Sequence, residues 1–164
     1  MCQACTPQFN TDESNAFTDK MIGIFNHAAT ALMISVGYKT GLFDVMAEME
    51  PATSGEIAAE GQLSERYVRE WLGSMTTAEI VHYDPDHGHY HLPEEYAVWL
   101  TRKASPNNLA ITTTFIPVLA SVEDEIVQCF QQGGGVPYER YNRFHETMAE
   151  ESAQTVVAPL IEQI

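Results

Sequence analysis

Four histidines lie close together in a stretch that is predicted to form a β-hairpin: His82, His87, His89 and His91. His89 and His91 share one side of the second strand, because side chains alternate along a strand. If a carboxylate of Asp84 or Asp86 converged on them, they could hold Zn or Ni. The metal candidates are therefore His87, His89 and His91. The alternative is a solvated hairpin with ordinary polar histidines, since no cysteine or paired ligand motif accompanies them.

Three other patterns suggest chemistry but do not define a reaction. Cys2 and Cys5 have the spacing of zinc and redox sites, yet a second ligand pair is missing nearby, which favours mobile tail cysteines. Gly133-Gly134-Gly135 lacks the preceding strand and the glycine spacing of phosphate-binding loops, so a hinge or helix end is expected. His145 beside Glu146 could serve as a general base. Neighbours on a helix point about 100° apart, however, so this carboxylate is not expected to orient the imidazole.

The histidine hairpin ends a predicted winged helix that runs from Ser54 to Leu92. A short helix over 54–60, capped by Ser54, is joined by a tight turn to a second helix over 64–75, capped by Ser64. Two short helices joined in this way form a helix-turn-helix unit. The wing follows as two strands and the loop between them, predicted at 80–83, 89–92 and 84–88.

Further helices are predicted on both sides of the winged helix. The first runs from Ala16 to about Tyr38 and is apolar on two faces, so its second face is expected to meet another subunit or a missing domain. The other helices are predicted at 42–46, at 93–100 with Pro93 in the first helical position, at 115–130 as one helix or two, and from about Asn142 onward.

The predicted fold class is mainly α: a winged helix-turn-helix with a small β-hairpin wing and additional N- and C-terminal helices. Residues 1–14 are expected to be a flexible tail. Residues 15–132 are expected to form a winged-helix and dimerisation domain. Residues 133–164 are expected to be a hinge and a helix leading toward an absent domain.

Charge and composition disfavour several classes of function. The net charge is −15, from 8 basic and 23 acidic side chains. Such a chain repels phosphate, and the four charges at the start of the second helix, Glu65, Arg66, Arg69 and Glu70, cancel, so DNA binding is disfavoured. Three cysteines do not make a disulfide framework. A basic-then-apolar signal is missing, and no stretch approaches the ~18 apolar residues of a membrane helix. We therefore expect a cytoplasmic protein without nucleic-acid or membrane partners.

These elements resemble the N-terminal domain of class I S-adenosylmethionine-dependent methyltransferases. Besides the wing, the segments that carry the resemblance are Gly41-Leu42-Phe43-Asp44, Glu56-Ile57-Ala58 and Tyr67-Val68-Arg69-Glu70-Trp71-Leu72. Three later segments look like a bacterial-type subfamily with a winged-helix N-terminal domain: Gly133-Gly134-Gly135-Val136-Pro137-Tyr138, Arg143-Phe144-His145-Glu146 and Met148-Ala149-Glu150. The resemblance covers nearly all of the chain from Ala16 onward.

In that family a Rossmann-like domain follows, and its glycine-rich loop binds S-adenosylmethionine. This sequence contains no such loop. The resemblance therefore implies a substrate-capping and dimerisation domain that is inactive alone, with S-adenosylmethionine bound only in the full-length family. Whether this chain is itself an enzyme stays open. The unfinished apolar face of the last helix, Val156, Val157, Leu160, Ile161 and Ile164, also suggests a chain cut before its catalytic half.

The resemblance further implies a homodimer through the first long helix and a cleft that faces the cofactor domain. The residues expected to line this cleft and to hold an apolar small-molecule substrate are Phe115, Tyr138, Tyr141, Phe144, His145 and Met148. Two alternatives remain: a DNA-binding transcriptional regulator with the same fold, and a metal-binding module that uses the wing histidines.

Overall fold

The structure is a computed structural model, and it describes residues 9–104, 106–157 and 160–161. The helices are α1 (Thr11–Thr40), α2 (Leu42–Ala47), α3 (Ser54–Glu60), α4 (Glu65–Thr77), α5 (Glu94–Leu100), α6 (Phe115–Ala120), α7 (Glu123–Gln132) and α8 (Phe144–Ser152). The strands are β1 (His82–Asp84) and β2 (His89–His91). Short 3-10 turns lie at Arg102–Ala104, Ile111–Thr114 and Tyr138–Arg140, and a π-helical turn at Ala153–Val157 follows α8. The predicted fold class, a mainly helical winged helix-turn-helix with extra terminal helices, is confirmed.

The core lies where α4 packs against the end of α1 and against α2. Helical spacing predicts one apolar face of α4, and four of its five residues are buried, namely Val68, Trp71, Leu72 and Met75, while Ala78 is the half-buried C-cap. Phe43 of α2 meets Trp71 edge-to-face, with ring centroids 5.2 Å apart. Gly37 lets α1 approach this pair, since a Cβ there would lie 2.8 Å from Phe43 Cε2 and closer still to Trp71. Trp71 Nε1 also donates to the carbonyl of Met33 at 2.8 Å, which ties α4 to α1.

The helix caps differ in detail from those predicted. The N-cap of α3 is Thr53 rather than Ser54, because Thr53 and Glu56 form a reciprocal capping box. In that box Glu56 Oε2 accepts from the Thr53 amide at 2.8 Å. Ser64 is the N-cap of α4, as predicted, but its side chain makes no capping hydrogen bond. Pro93 is the N-cap of α5 rather than its first helical residue.

The wing is an antiparallel pair of strands that are shorter than predicted. His82 lies opposite His91, and Tyr83 lies opposite Tyr90. The predicted first strand began at Ile80, but the amides of Ile80 and Val81 both bond to the carbonyl of Met75, so these residues complete the turn after α4. Val81 is buried in the core instead of extending the ladder.

Helix α1 begins earlier than predicted, at Thr11, because Asn10 caps it by accepting from the Glu13 amide at 3.1 Å. The end of the predicted flexible tail is therefore helical. Cys2 and Cys5 lie outside the described residues. Gly41, with φ of 75°, closes the helix in the left-handed conformation.

Most of α1 is exposed in the single chain, so its predicted burial on two faces is not met within this chain. Phe17 is 62% exposed and Phe25 is 63% exposed. By length and composition, α1 could cross a membrane, since an 18-residue window of it has a mean hydropathy of 1.3. The prediction that no stretch approaches a membrane helix was therefore wrong. Of this window, 17% is buried in the structure.

The C-terminal part packs on the outside of the winged helix. The predicted helix or pair of helices is a pair, α6 and α7, separated at Ser121 and Val122. Helix α8 begins at Phe144 rather than at Asn142, because Arg143 adopts a left-handed conformation with φ of 60°. The described residues of the final apolar face are exposed: Val156, Val157, Leu160 and Ile161.

Candidate functional site

Five of the six predicted cleft residues lie together in the structure, and we call them the aromatic cluster. Phe144, the first residue of α8, is at the centre. Around it lie Phe115 at the start of α6, Tyr138, Tyr141 and His145. The ring centroids of these four lie 6.4, 5.5, 5.9 and 5.8 Å from that of Phe144, respectively. Two segments that are distant in sequence, the start of α6 and residues 138–145, thus supply one group of stacked and edge-on rings.

Local backbone geometry explains the stacking. Tyr138, Tyr141 and Phe144 follow one another at intervals of three residues, and the amide of each later residue bonds to the carbonyl of the earlier one, at 3.1 and 3.3 Å. Residues three apart in such a turn lie above one another. Tyr138 remains 65% exposed, so the cluster is open to solvent.

Met148, the sixth residue predicted for the cleft, lies one turn further along α8 and is 40% exposed, outside the ring contacts of the cluster. As predicted, Glu146 does not orient His145. Its carboxylate accepts from Arg143 Nε at 3.0 Å instead.

A cavity of about 310 Å³ adjoins the aromatic cluster. It is lined by Ile126, Cys129 and Phe130 of α7 and by Gly135, Val136 and Tyr141 beyond it. Tyr141 belongs to both the cavity and the cluster, so the two form one continuous surface that suits an apolar group. Sequence reasoning missed the α7 side of this surface. The helical spacing of Ile126, Cys129 and Phe130 was the signal that could have indicated it.

Sequence reasoning also missed a hydrogen-bonded network that joins α1 to the end of the chain. The hydroxyl of Tyr38 donates to Glu150 Oε1 at 2.6 Å and accepts from Gln154 Nε2 at 2.7 Å. Asn108 Nδ2 donates to Gln154 Oε1 at 2.9 Å. Burial of Tyr38, and then its hydrogen bond to Glu150, raise the pKa of the phenol to about 12. The network fastens α8 and the π-helical turn beside the core.

Arg102 reinforces the same place from another side. Its guanidinium lies 4.3 Å from the centroid of the Tyr38 ring and donates to the Tyr38 carbonyl at 2.7 Å. It also pairs with the carboxylate of Asp44. One arginine therefore connects the ends of α1, α2 and α5.

Of the three metal candidates, His87 and His89 approach each other, with ring centroids 6.0 Å apart, and His91 lies opposite His82 in the hairpin. His87 Nδ1 lies 2.6 Å from Asp84 Oδ2, and this hydrogen bond lowers the pKa of the Asp84 carboxyl. His82 packs edge-on against Tyr96 at 5.9 Å. Among the described residues, no three His, Cys, Asp or Glu side chains are placed to hold a metal ion. The third ligand that the metal hypothesis requires is thus not found in that part of the chain.

The glycine triplet behaves as a helix end, as predicted. Gly133 is the C-cap of α7, with φ of 75°, and its amide bonds to the carbonyl of Cys129 at 2.9 Å.

A family model for the Rv2258c-like winged HTH domain matches residues 28–102. The matched segment starts inside α1 and takes in α2 to α5 with the wing. Residues 28–102 therefore form a winged HTH domain that is similar to this family.

Several solved structures are similar to this chain, among them three methyltransferases. Mitomycin 7-O-methyltransferase is 17% identical, with a TM-score of 0.66 over 90% of this chain and 46% of that one. Human N-acetylserotonin methyltransferase, in complex with SAM, is 15% identical, with a TM-score of 0.61 over 93% of this chain and 43% of that one. The N,N-8-amino-8-demethyl-D-riboflavin dimethyltransferase of Streptomyces davawensis is 16% identical, with a TM-score of 0.61 over 93% of this chain and 46% of that one.

At sequence identities this low, the structural similarity establishes a shared fold alone. The chain spans about half the length of these methyltransferases. A comparison with curated proteins gave no match.

In this winged HTH domain, α4 occupies the place of the recognition helix, and α1 stands beside it. A polar cavity of about 790 Å³ separates the two helices and is lined in part by Asn26 and Thr30 of α1 and by Arg69 and Gly73 of α4. Arg69 also pairs with Glu65 one turn earlier, at 3.5 Å. The outer face of α4 is therefore partly flanked by α1 and carries compensated charge.

Proposed function

We propose that this chain is the substrate-capping and dimerisation part of an S-adenosylmethionine-dependent methyltransferase that acts on a small molecule. The observation that carries the proposal is the aromatic cluster together with the apolar cavity beside it. This surface stands at the C-terminal edge of the winged HTH domain, next to α8. A cofactor domain that follows α8 would meet it there.

The methyl acceptor, in this proposal, lies against the aromatic cluster. Ring faces and the apolar α7 side would exclude water and hold an apolar, flat group, while the exposed Tyr138 hydroxyl offers a polar contact at the rim. The fold shared with small-molecule methyltransferases supports this assignment.

Kinetics of an enzyme that joins this chain to its Rossmann-like domain test the acceptor site. Phe144→Ala and Tyr138→Ala should raise the KM for the acceptor and leave the KM for S-adenosylmethionine unchanged. Tyr67→Ala is the matched control, because Tyr67 is 74% exposed on α4, away from the cluster. Unchanged acceptor KM in both cluster variants would refute the cleft assignment.

S-adenosylmethionine is proposed to be held by the other domain, not by this chain alone. The human methyltransferase with a similar fold is described in complex with SAM, and this chain spans less than half of its length. Calorimetric titration of the 164-residue chain with S-adenosylmethionine should give no saturable heat. Saturable binding at micromolar affinity would mean that these helices form a cofactor pocket unaided.

We further propose that the protein is cytoplasmic. It forms a homodimer through α1, in which a second copy covers the apolar side chains of this helix. Phe17 and Phe25 stay exposed on this helix, and an exposed apolar stripe of this length is typical of an interface. Sedimentation velocity should show a dimer that Phe25→Asp converts into a monomer. Val98→Asp on α5, where Val98 is 53% exposed, is the control and should stay dimeric. A wild-type monomer at micromolar concentration would contradict the proposal.

DNA binding is the less favoured use of the same fold. The net charge of −15 opposes a phosphate backbone, and Arg69 on α4 is already paired with Glu65. A salt-dependent mobility shift with duplex DNA would reverse this preference.

A further inference from the structure

The segment from Gly133 to Arg143, which we call the strap, links α7 to α8 and can bend at both ends. Gly133 and Gly134 have φ of 75° and 94°, and a Cβ built on either of them or on Gly135 would meet nothing within 4 Å. No neighbouring atom therefore packs against the Cβ positions of the glycine triplet, and the absence of side chains widens its backbone freedom. At the other end, Arg143 has φ of 60°, which marks a second sharp change of direction.

One ion pair fastens the middle of the strap to α7. Arg140 Nε lies 3.1 Å from both carboxylate oxygens of Glu125, and a terminal nitrogen of the guanidinium lies 2.6 Å from Oε1. Within the described residues, this is the side-chain hydrogen bonding that joins the strap to α7. The Arg140 side chain is 62% exposed and that of Glu125 is 30% exposed, so water and salt have access to the pair.

The strap borders two surface cavities that are open to solvent. The apolar cavity of about 310 Å³ and a polar cavity of about 280 Å³ both lie between α7 and the strap. They share Cys129 of α7 and Gly135 and Val136 of the strap. Arg140 and Glu125 line the polar cavity. The strap also carries Tyr138 and Tyr141 of the aromatic cluster, so its position sets the shape of both surfaces.

We propose that the strap is a hinged wall of these cavities, held against α7 by the Arg140–Glu125 ion pair and moved away from it by rotation about the glycine triplet. An exposed ion pair of this kind contributes little free energy, so breaking it changes the ratio of released to held strap by a small factor. Separation of the pair widens the apolar cavity and lets a ligand reach more of it. This inference concerns access and holds whatever reaction the whole protein performs.

The thiol of Cys129 reports on the position of the strap, because it lies half-buried and lines both cavities. The chain has three cysteines, so replacing Cys2 and Cys5 by serine leaves Cys129 as the remaining thiol. Its rate of alkylation is measured with iodoacetamide, a neutral reagent, under native conditions. Glu125→Gln should raise the rate about two- to fivefold, the range that an exposed ion pair allows.

Glu123→Gln is the matched control, since it removes the same charge from the same turn of α7 without touching the strap. Glu123 is exposed and belongs to the first turn of that helix. It should leave the rate near the wild-type value. Arg140→Gln breaks the pair from the other side and should match Glu125→Gln, with no further rise in the double variant. The Arg140 variant also keeps the test decisive if Glu125→Gln folds poorly.

Salt and a rigid hinge give two independent checks. Raising NaCl to molar concentration should increase the wild-type rate but not the rate of Glu125→Gln, because the pair is then already broken. Gly135→Ala has room for its methyl group and should slow alkylation by stiffening the hinge. Equal rates in Glu125→Gln and Glu123→Gln, or a salt-independent wild-type rate, would overturn the proposal and leave the strap as a fixed wall.

Discussion

The winged-helix body and the C-terminal segment, residues 115–157, are ordered by different means. In the body, Phe43, Leu72 and Met75 have no exposed surface, and they belong to one continuous core. In the C-terminal segment, the described residues contribute only Val118, Val122 and Thr147 to the buried set. Ring contacts, hydrogen bonds to Tyr38 and two ion pairs order that segment instead.

This difference in packing determines where the molecule can change shape. Apolar burial is non-directional and costly to undo, so the body should behave as one cooperative unit. Surface hydrogen bonds and ion pairs contribute little each, so the C-terminal segment can shift without unfolding the body. A site built on that segment can therefore adjust to a ligand or to a neighbouring domain.

The largest expected difference in stability is between the alanine variants of two phenylalanines, one in each region. Phe43→Ala should lower the free energy of unfolding by about 3–5 kcal/mol, because it leaves a cavity against Trp71 in the core. Phe130→Ala in the C-terminal segment, where Phe130 is 88% exposed, should change it by about 0.5 kcal/mol or less. Urea denaturation measures both. Similar losses in the two variants would abolish the distinction between the regions.

A second contrast concerns the space beside the core. Gly37→Ala should destabilise by about 1–3 kcal/mol, since its methyl group would overlap Phe43 and Trp71. Gly73→Ala on α4 has nothing within 4 Å of the added Cβ. It should stabilise by about 0.5–1 kcal/mol, through helix propensity alone. A neutral Gly37→Ala would show that the core is looser than its contacts indicate.

Tyr38 connects the two regions, and its effect should depend on pH. Tyr38→Phe should cost about 1.5 kcal/mol at neutral pH by removing the hydrogen bonds to Glu150 and Gln154. The pKa of the folded phenol is raised to about 12, above the ordinary value of about 10, so its contribution is complete below pH 10. It should be lost as pH rises from about 10 to about 12.

Urea denaturation at several pH values checks this expectation. The stability difference between wild type and Tyr38→Phe should stay constant up to about pH 10 and shrink above it. Tyr67→Phe, on the exposed face of α4, is the control and should match wild type throughout. A difference that grows with alkaline pH would contradict the assigned direction of the pKa change.

The smallest contrast lies within the body and separates two helix caps. Thr53→Ala should destabilise by about 1 kcal/mol, because the capping box with Glu56 is lost. Ser64→Ala should cost less than about 0.5 kcal/mol, since the Ser64 side chain makes no capping bond. Thermal unfolding of the two variants under one buffer condition ranks them. The reverse ranking would show that Ser64 caps in solution.

The parts of the fold that depend on local periodicity were predictable from sequence. The buried face of α4 follows from helical spacing, and four of the five residues predicted for that face are buried. The predicted ends of helices and strands were wrong where a backbone hydrogen bond, rather than the apolar periodicity, determines them. Ile80 looks like a strand residue, but its amide bonds to Met75 at 2.9 Å and keeps it in the turn.

The candidate site divides in the same way. Six cleft residues were predicted through resemblance to a family, and five of them lie together in the structure, while their role in binding stays a prediction. The hydrogen bond between Tyr38 and Glu150 joins residues 112 positions apart, and no local sequence pattern indicates it. The Arg140–Glu125 pair links a loop to a helix across fifteen residues, a spacing that carries no signal either.

The contact between Ala52 and Tyr90 bears on aggregation. The two residues exchange backbone hydrogen bonds of 2.7 and 3.1 Å, so β2 is covered on one side by Ala52 and on the other by β1. The open edge of this sheet is then β1 itself, three residues long and ending in Asp84. Short, charged edges resist the addition of foreign strands. In a molecule with much apolar surface on its helices, the hairpin is therefore protected from edge-to-edge polymerisation.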